Sequence, residues 1–503
     1  MKKLMVGSLV AAMAISAFAA DDIESLKQEI AALKKQVSEI KKNTGGDNLK
    51  WNVDFRTAYD IVNYETAKGT SYSNDILSTR LWLGMKYAPS NKLSFIGQLS
   101  YNKAFGANPP RYGRSAMYSG TGGVVYAGIP QRAFGFDTFD WVVNENLGDN
   151  TIKVRQAYWI YFGEAGPVPY TVSVGRRPSV NGFLGNLRED DPQASPLAHT
   201  INVEFDGASI LADLEKVTSV PGMSFKLCYG RGLTNADARF SNAGMDYIDN
   251  GNTLDTIDML GFILTPFDNG QYKVMAQVYR GFNVPGFKGK GSDDAVMIQR
   301  NGSYVMNFSP VMYTLGDMDG YTLSGMVSGL NDDPSSFLGQ TTVFASVAMT
   351  KTHPMKGMSM LGSSESKTGS SIWLGVQMPA VVTSDGKFGL EFNKGSKYWR
   401  PFTYGEDSLI GSKLATRGNA YEAYYTQPLT KGLSMQIRYT LLDYKYTGSQ
   451  SFFGDEGAPS EISVAQAMAD FMNSRGLIEN QRGMYPNPVD KASNLRMYLR
   501  YRY

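Results

Sequence analysis

Residues 495–503 read Leu-Arg-Met-Tyr-Leu-Arg-Tyr-Arg-Tyr, and the sequence ends on this last aromatic side chain. Apolar and aromatic residues occupy the odd-numbered positions from Leu495 to Tyr503, and arginines occupy positions 496, 500 and 502. Side chains of a β-strand alternate between its two faces, so the pattern predicts one apolar face and one arginine face. Such a strand suits a wall between lipid and water. An edge strand of a soluble β-sandwich is the alternative, and the rest of the chain decides between the two.

Alternating segments of this kind recur from Leu49 onward and predict about 16 strands, within a range of about 14 to 18. In the clearest of them Trp51, Val53 and Phe55 share one face, while Asp54 and Arg56 lie on the other. The predicted strands cover residues 49–61, 77–87, 93–101, 152–162, 170–177, 201–212, 223–231, 254–264, 271–281, 321–329, 337–350, 371–378, 387–395, 416–427, 433–446 and 491–503.

The connections between these strands alternate in length. Short ones such as Pro89–Lys92 and Pro428–Gly432 separate longer stretches at about 106–150, 178–200, 232–253, 282–320, 351–370, 396–415 and 447–490. An up-and-down membrane barrel has this alternation, whereas a Greek-key sandwich has no reason for it. The sequence therefore predicts an all-β fold, a closed transmembrane antiparallel β-barrel over residues 49–503. A barrel of this size usually leaves an aqueous channel.

The first 19 residues have the pattern of a secretory signal peptide. Lys2 and Lys3 precede the apolar stretch Leu4–Ser16, which is too short to span a bilayer, and Ala17–Ala19 forms a small-x-small cleavage site. No later run of about 20 apolar residues predicts a transmembrane helix. The single cysteine, Cys228, cannot form an internal disulfide.

Residues 21–43 predict a short α-helical coiled coil before the barrel, on the periplasmic side. Apolar residues recur at three-four spacing with Glu and Lys between them, at Ile23, Leu26, Ile30, Leu33, Val37 and Ile40. These six residues are the candidate oligomerisation face, although one amphipathic helix packed on the barrel also fits the spacing. Ile and Val at one core position and mostly Leu at the other favour a dimer.

The terminal strand and its final Tyr503 resemble the C-terminal signature by which Gram-negative outer-membrane barrels are recognised for insertion. The signal peptide, strand pattern and terminal aromatic together resemble bacterial outer-membrane porins. The chain is also similar to an uncharacterised family of outer-membrane proteins with a short N-terminal coiled coil, through residues 174–178 (Val-Gly-Arg-Arg-Pro) and 392–399 (Phe-Asn-Lys-Gly-Ser-Lys-Tyr-Trp). The resemblance covers essentially the whole mature chain. It implies outer-membrane lipid and the barrel assembly machinery as partners, Tyr503 as an assembly signal, and a porin-like homotrimer.

The face opposite the apolar set would line the lumen. On it basic residues outnumber acidic ones about two to one, which would raise the local concentration of anions. The pore-lining candidates are Arg56, Arg80, Arg155, Arg177, Arg438, Arg496, Arg500, Arg502, Asp54, Glu204 and Glu391, with the aromatics Trp82, Trp159, Trp373 and Tyr279. Pairing of these arginines with carboxylates, or screening by salt, is the alternative. The net charge of the whole chain is only +2, so the compensating acids lie in loops, for example at 189–191.

The predicted loop at 106–150 is the constriction candidate, because loops of this length are uncommon without a role. Its charged candidates are Arg111, Arg114, Arg132, Asp137 and Asp140. Folded into the barrel, they would set a transverse field; an external cap is the alternative.

Some outer-membrane barrels are enzymes, which need a nucleophile and a base within hydrogen-bond reach. This chain has only His199 and His353, each in a predicted external loop, with Ser195 four residues before His199. We therefore expect no enzyme activity, no metal, no cofactor and no nucleic-acid partner. The sequence predicts passive diffusion of small hydrophilic solutes with a preference for anions. A substrate-specific channel and a structural or adhesive surface barrel with a closed lumen are the alternatives.

Overall fold

The computed structural model is an antiparallel barrel closed by its first and last strands. It describes residues 49–107, 116–118, 124–126, 147, 152–236, 239, 244–249, 254–287, 295–300, 303–308, 312–467 and 488–503. The predicted signal peptide and coiled coil, including the candidates Ile23 to Ile40, lie outside these residues, as do the five constriction candidates from Arg111 to Asp140.

Sixteen strands form the barrel, and each pairs with its neighbours in sequence. They are β1 (Leu49–Thr66), β2 (Ser71–Ser90), β3 (Leu93–Ala104), β4 (Lys153–Ala165), β5 (Val168–Arg177), β6 (Phe205–Asp213), β7 (Ser224–Leu233), β8 (Ile257–Asp268), β9 (Tyr272–Phe287), β10 (Met312–Ser328), β11 (Thr342–Pro354), β12 (Thr368–Pro379), β13 (Lys387–Gly395), β14 (Gly418–Thr430), β15 (Leu433–Tyr444) and β16 (Val489–Arg502). The predicted fold class and strand number are confirmed.

The seam between β1 and β16 closes the hydrogen-bond ladder. Arg56 lies directly opposite Arg500, and Asp60 lies opposite Arg496. At the end of the seam Val53 and Tyr503 exchange both backbone hydrogen bonds, each 2.9 Å long. The barrel strands therefore have no free edge, which is the condition for a β-structure to cross a bilayer.

Burial follows the period-two pattern of the sequence. In β1 the even-numbered residues from Arg56 to Val62 are buried, whereas Trp51 and Phe55 on the other face are exposed. The inward assignment of Trp159 is wrong, because its side chain is 42% exposed. A β-bulge between β3 and β4 pairs Gln98 with Gln156 but Leu99 with Val154, and one extra residue reverses the faces beyond it.

Short turns lie at one end of the barrel and most long loops at the other. One connection at the loop end, residues 67–70, is a tight turn. The predicted loop at 282–320 is shorter than expected, since β9 continues to Phe287 and β10 begins at Met312. The remaining elements include short strands at Ala116–Tyr118, Val124–Tyr126, Gly182–Phe183, Ala194–Leu197, Ala295–Arg300 and Ser303–Phe308, the helix α1 (Glu215–Thr218) and two 3-10 turns at Lys413–Ala415 and Asp455–Gly457. Residues 462–467 are also helical. Within the described ranges, no helix has the length and apolar character needed to cross a bilayer.

Candidate functional site: the barrel interior

Among the residues that the structure describes, three loops enter the barrel from the loop end. The first inserted loop (residues 178–204) connects β5 to β6, the second (396–417) connects β13 to β14, and the third (445–467) follows β15. In the first, Phe183 and Leu197 are buried against the wall residues Phe344 and Trp373. The loop therefore packs on the inner surface of the barrel at the level of strands β11 and β12.

His199 shows how far the first inserted loop reaches. Its Nδ1 lies 2.7 Å from the Ser346 hydroxyl and its Nε2 lies 2.9 Å from the Ser371 hydroxyl, both on the inner wall. The imidazole also packs edge-on against Trp373 and Trp399. The predicted external position of His199 is therefore wrong. The histidine is fully buried, and its hydrogen bonds tie the loop to the wall.

The predicted loop position of the second histidine is also wrong, and Ser195 does not pair with His199. His353 lies in the last part of β11, not in a loop, and its Nε2 is 2.8 Å from Asp319. Ser195 accepts a hydrogen bond from Lys226, whereas His199 bonds to Ser346 and Ser371. The serine and histidine that are four residues apart in sequence are thus not partners of each other.

The inserted loops also hold one another. The Asn202 amide donates to the Phe402 carbonyl over 2.7 Å, and the Phe402 amide donates to the Thr200 carbonyl over 2.9 Å. Phe402 in turn packs against Phe453 of the third loop, with ring centroids 5.0 Å apart. These contacts join segments some 50 to 250 residues apart into one body inside the barrel.

Opposite this apolar contact, the wall carries rows of arginines. Arg56 faces Arg80 on β2 and Arg500 on β16, and Arg496 faces Arg438 on β15. Like charges directly across a sheet repel each other and destabilise the pairing. A buried arginine row therefore needs carboxylates from elsewhere.

The inserted loops supply those carboxylates. Asp407 of the second loop forms a bidentate pair with Arg56, with one hydrogen bond of 3.0 Å, and accepts from Arg496 over 2.7 Å and from Arg80 over 3.4 Å. Glu189 of the first loop accepts from Arg438 over 2.8 Å. Asp407 thus joins strands on both sides of the barrel seam, and Glu189 ties the first loop to β15.

Salt bridges connect these groups into one network, which we call the charged sector. Its wall residues are Arg56, Arg80, Arg438, Arg496, Arg500, Arg502, Asp54, Asp60, Glu391 and Glu422. Its loop residues are Arg188, Lys413, Glu189, Asp191, Glu406 and Asp407. Among these described residues, two excess positive charges on the wall meet two excess negative charges on the loops. The sector is electrically balanced only while the loops are inside.

The structure places the pore-lining candidates in several environments. Most belong to the charged sector, where Glu391 pairs with Lys413 over 2.7 Å. Arg155 and Glu204 lie outside it and pair with each other over 3.3 Å. Arg177 lines a separate cavity near the first inserted loop. Tyr503, the candidate assembly signal, is 82% exposed at the turn end.

Sequence reasoning missed the loop half of the charged sector. The acidic run at 189–191 and Asp407 were visible in the sequence, but their loops were expected outside the barrel. A usable signal was the set of large apolar residues in the inserted loops, such as Trp399, Phe402 and Phe453, which are buried inside the barrel. External polar loops rarely carry so many.

The interior of the barrel is consequently filled rather than lined. Each strand contributes at least one buried inward-facing residue, from β1 to β16 in order Arg56, Arg80, Ser100, Arg155, Ser173, Ser209, Gly230, Met259, Tyr279, Ser324, Phe344, Trp373, Glu391, Tyr424, Arg438 and Arg496. A wide aqueous channel would leave such side chains in contact with water.

Several solved structures follow a similar course of the chain. OmpF of Salmonella typhi, in complex with daunomycin, is 11% identical and matches 91% of this chain and 98% of its own, with a TM-score of 0.43. An anion-selective porin from Comamonas acidovorans is 10% identical over 90% and 100% of the two chains, with a TM-score of 0.42. OprB of Pseudomonas putida is 11% identical over 93% and 96%, with a TM-score of 0.44. These values are too low to transfer a solute or a selectivity to this chain.

No curated protein matches the sequence. Residues 70–503, most of the chain and nearly all of the barrel, match the model of a family described as "Protein of unknown function (DUF3373)". The chain, a closed barrel of sixteen strands, belongs to this family.

Proposed function

We propose that the protein is a porin-like barrel of the outer membrane that is closed at rest by its own loops and opens to small hydrophilic solutes. The observation that carries the proposal is the burial of inward-facing residues on every strand. The wall has the size of a channel former, but its interior holds the three inserted loops. Permeation then requires that these loops move.

The outer surface supports a membrane location. Val278, Leu323 and Val347 on adjacent strands are each exposed by about half or slightly less. One row above this apolar belt, towards the loop end, Arg280, Asp319 and Lys351 lie opposite one another. An outward apolar band bounded by polar groups suits a barrel in lipid.

Movement of the loops would also give the opened path a preference for anions. When Glu189, Asp191 and Asp407 leave with their loops, the wall keeps the arginine rows with only a few wall carboxylates. A low-dielectric wall then focuses a positive potential on the opened path. The resting barrel, in contrast, has a balanced charged sector and no such field.

A permanently closed structural barrel is the second candidate. It is favoured by the apolar contacts of the loops, because Phe183, Leu197 and Leu414 form one cluster with the wall residues Phe344 and Trp373. Apolar burial of this extent holds a loop as firmly as a core element.

Conductance in planar bilayers separates these candidates. We expect the unmodified protein to conduct rarely and in short openings. The double variant Glu189→Gln plus Asp407→Asn should open several-fold more often, because it removes the loop carboxylates that pair with Arg56, Arg438 and Arg496. In a KCl gradient its reversal potential should lie on the chloride side. The matched control Asp258→Asn breaks an exposed pair with Arg231 on the outer face and should leave conductance unchanged.

Folding of each variant is checked first by the difference in gel mobility between unboiled and boiled samples. A large, constant conductance of the unmodified protein would overturn the closed resting state and favour simple diffusion. Silence of both the unmodified protein and the folded double variant would instead favour the structural barrel.

A further inference from the structure

A separate cavity lies between the first inserted loop and the inner wall of strands β5 to β9. It encloses about 590 Å³ of space, including the part that is open to solvent, and apolar side chains such as Phe205, Met259 and Ile263 form most of its lining. Gly207, Gly230 and Gly261 also face it from three adjacent strands. A Cβ atom at Gly207 would lie 2.0 Å from the Tyr229 carbonyl oxygen, so the backbone there leaves no room for a side chain that could fill the space.

Two cations stand at this apolar cavity. Arg177 lines it directly, and the Arg177 Nε has no hydrogen-bond partner among the described residues. Lys226 lies on the inward face of β7, where its ammonium donates to Ser195, another lining residue. Within the described part of the chain, neither Arg177 nor Lys226 forms an ion pair with a carboxylate.

The neighbouring arginine shows that this is not a general property of the region. Arg176 directly precedes Arg177 in the chain, yet it has carboxylate partners: it donates to Glu204 over 2.9 Å and lies 3.5 Å from Asp206. The charged sector is likewise balanced. A mostly buried cation without a counter-ion is costly, so the two unpaired cations at one apolar cavity suit an anion that is supplied from outside.

We propose that this cavity binds an amphiphilic monocarboxylate, whose carboxylate pairs with Arg177 and Lys226 and whose hydrocarbon chain lies on the apolar wall. The planar guanidinium matches a carboxylate in geometry, and the apolar lining favours a ligand with a hydrocarbon body over a hydrated inorganic anion. Arg177 and Cys228 each keep a part of their surface exposed, so the cavity has an opening. The proposal holds whether or not the barrel opens.

Cys228 is the only cysteine of the chain and lines the cavity, so the rate of its chemical modification measures access to the cavity without any engineered cysteine. The test compares the rates at which two methanethiosulfonates of similar size modify Cys228 in the full-length protein in a non-ionic detergent. One reagent carries a sulfonate and the other a trimethylammonium group. We expect the anionic reagent to react faster by on the order of tenfold. A common change in thiol reactivity affects both reagents and leaves their ratio unchanged.

The substitutions Arg177→Gln and Lys226→Gln should each reduce this ratio several-fold. The matched control Arg231→Gln removes one positive charge from β7 on the exposed outer face, where Arg231 pairs with Asp258, and should not change the ratio. Folding is again verified by gel mobility before the rates are compared.

Protection of Cys228 by added ligands tests whether the site needs both the hydrocarbon chain and the charge of the ligand. This experiment uses only the unmodified protein. Octanoate should slow the modification of Cys228, whereas octanol, which lacks the charge, and acetate, which lacks the chain, should protect much less. Equal protection by octanol would reduce the site to an apolar cavity and overturn the proposal. Equal rates for the two reagents, or a complete lack of reaction at Cys228, would overturn it as well.

Discussion

The two sides of the barrel interior hold the same inserted loops by different physical means. On the side of β1, β2 and β13–β16, buried ion pairs of the charged sector attach the loops to the wall. On the side of β8–β12 the attachment is mainly apolar, through residues such as Leu197 and Phe344, with the hydrogen bonds of His199. Ion pairs depend on every partner being present, whereas apolar contacts depend on shape and area. We therefore expect the charged side to release first and the apolar side to act as the hinge.

The largest effect on the attachment of the loops is expected when the carboxylate that contacts three arginines is removed. Asp407→Ala leaves Arg56, Arg80 and Arg496 with an unfavourable net charge inside the barrel. The expected loss is about 3–5 kcal/mol of local stability, as for other broken buried pairs. Hydrogen exchange of the amides in 396–417 should speed up accordingly. The control Glu365→Ala breaks the exposed pair with Lys367 and should cost at most about 1 kcal/mol.

The apolar side is tested by Leu197→Ala. Leu197 is fully buried, and truncation of such a leucine costs about 3 kcal/mol. We expect faster hydrogen exchange in 178–204 without a gain in anion selectivity, because the charged sector is intact. Leu338→Ala, in an exposed turn, is the size-matched control. An equal response of both loops to both variants would show that the interior unfolds as one unit and that no hinge exists.

A smaller effect is expected from pH through Glu456 in the third inserted loop. Its carboxylate accepts from the Phe287 and Gly454 amides, and burial raises the pKa of Glu456 to about 6. The folded state then binds more protons than the unfolded state between about pH 4.5 and pH 6. Stability from this group is complete below that window and is lost as the pH rises through it, by at most about 2 kcal/mol. Urea unfolding at several pH values measures the slope, which Glu456→Gln should remove.

The smallest effect on the interior is expected from deletion of residues 21–43. We propose that this segment associates barrels, so its removal should shift the oligomer distribution seen by chemical crosslinking. Conductance and hydrogen exchange of the inserted loops should stay the same. An altered exchange rate in 178–204 would mean that the segment reaches the barrel interior, and an unchanged oligomer distribution would remove its proposed role.

The sequence was sufficient to predict which wall residues face the barrel interior, because burial there depends on local alternation. The odd and even faces of β1, and the meeting of Arg56 with the arginines of β16, follow from period two and an even strand number. The face of Trp159 did not follow, since a single bulge residue reverses the alternation without a sequence mark. The contacts of the loops inside the barrel could not be predicted from the sequence either. The Asn202–Phe402 hydrogen bond joins two loops 200 residues apart, and no local pattern encodes such a contact.

The seam has a consequence for the order of events during folding. Asp54 and Arg500 are 446 residues apart in sequence, so their meeting is among the most non-local contacts in the molecule. Contacts of this kind form late and slowly, because much chain entropy is lost before they are made. Asp407 bonds to Arg56 on one side of the seam and to Arg496 on the other. A loop already docked against the first strand would thus present a ready acceptor to the last one and act as an internal template for cyclisation of the sheet.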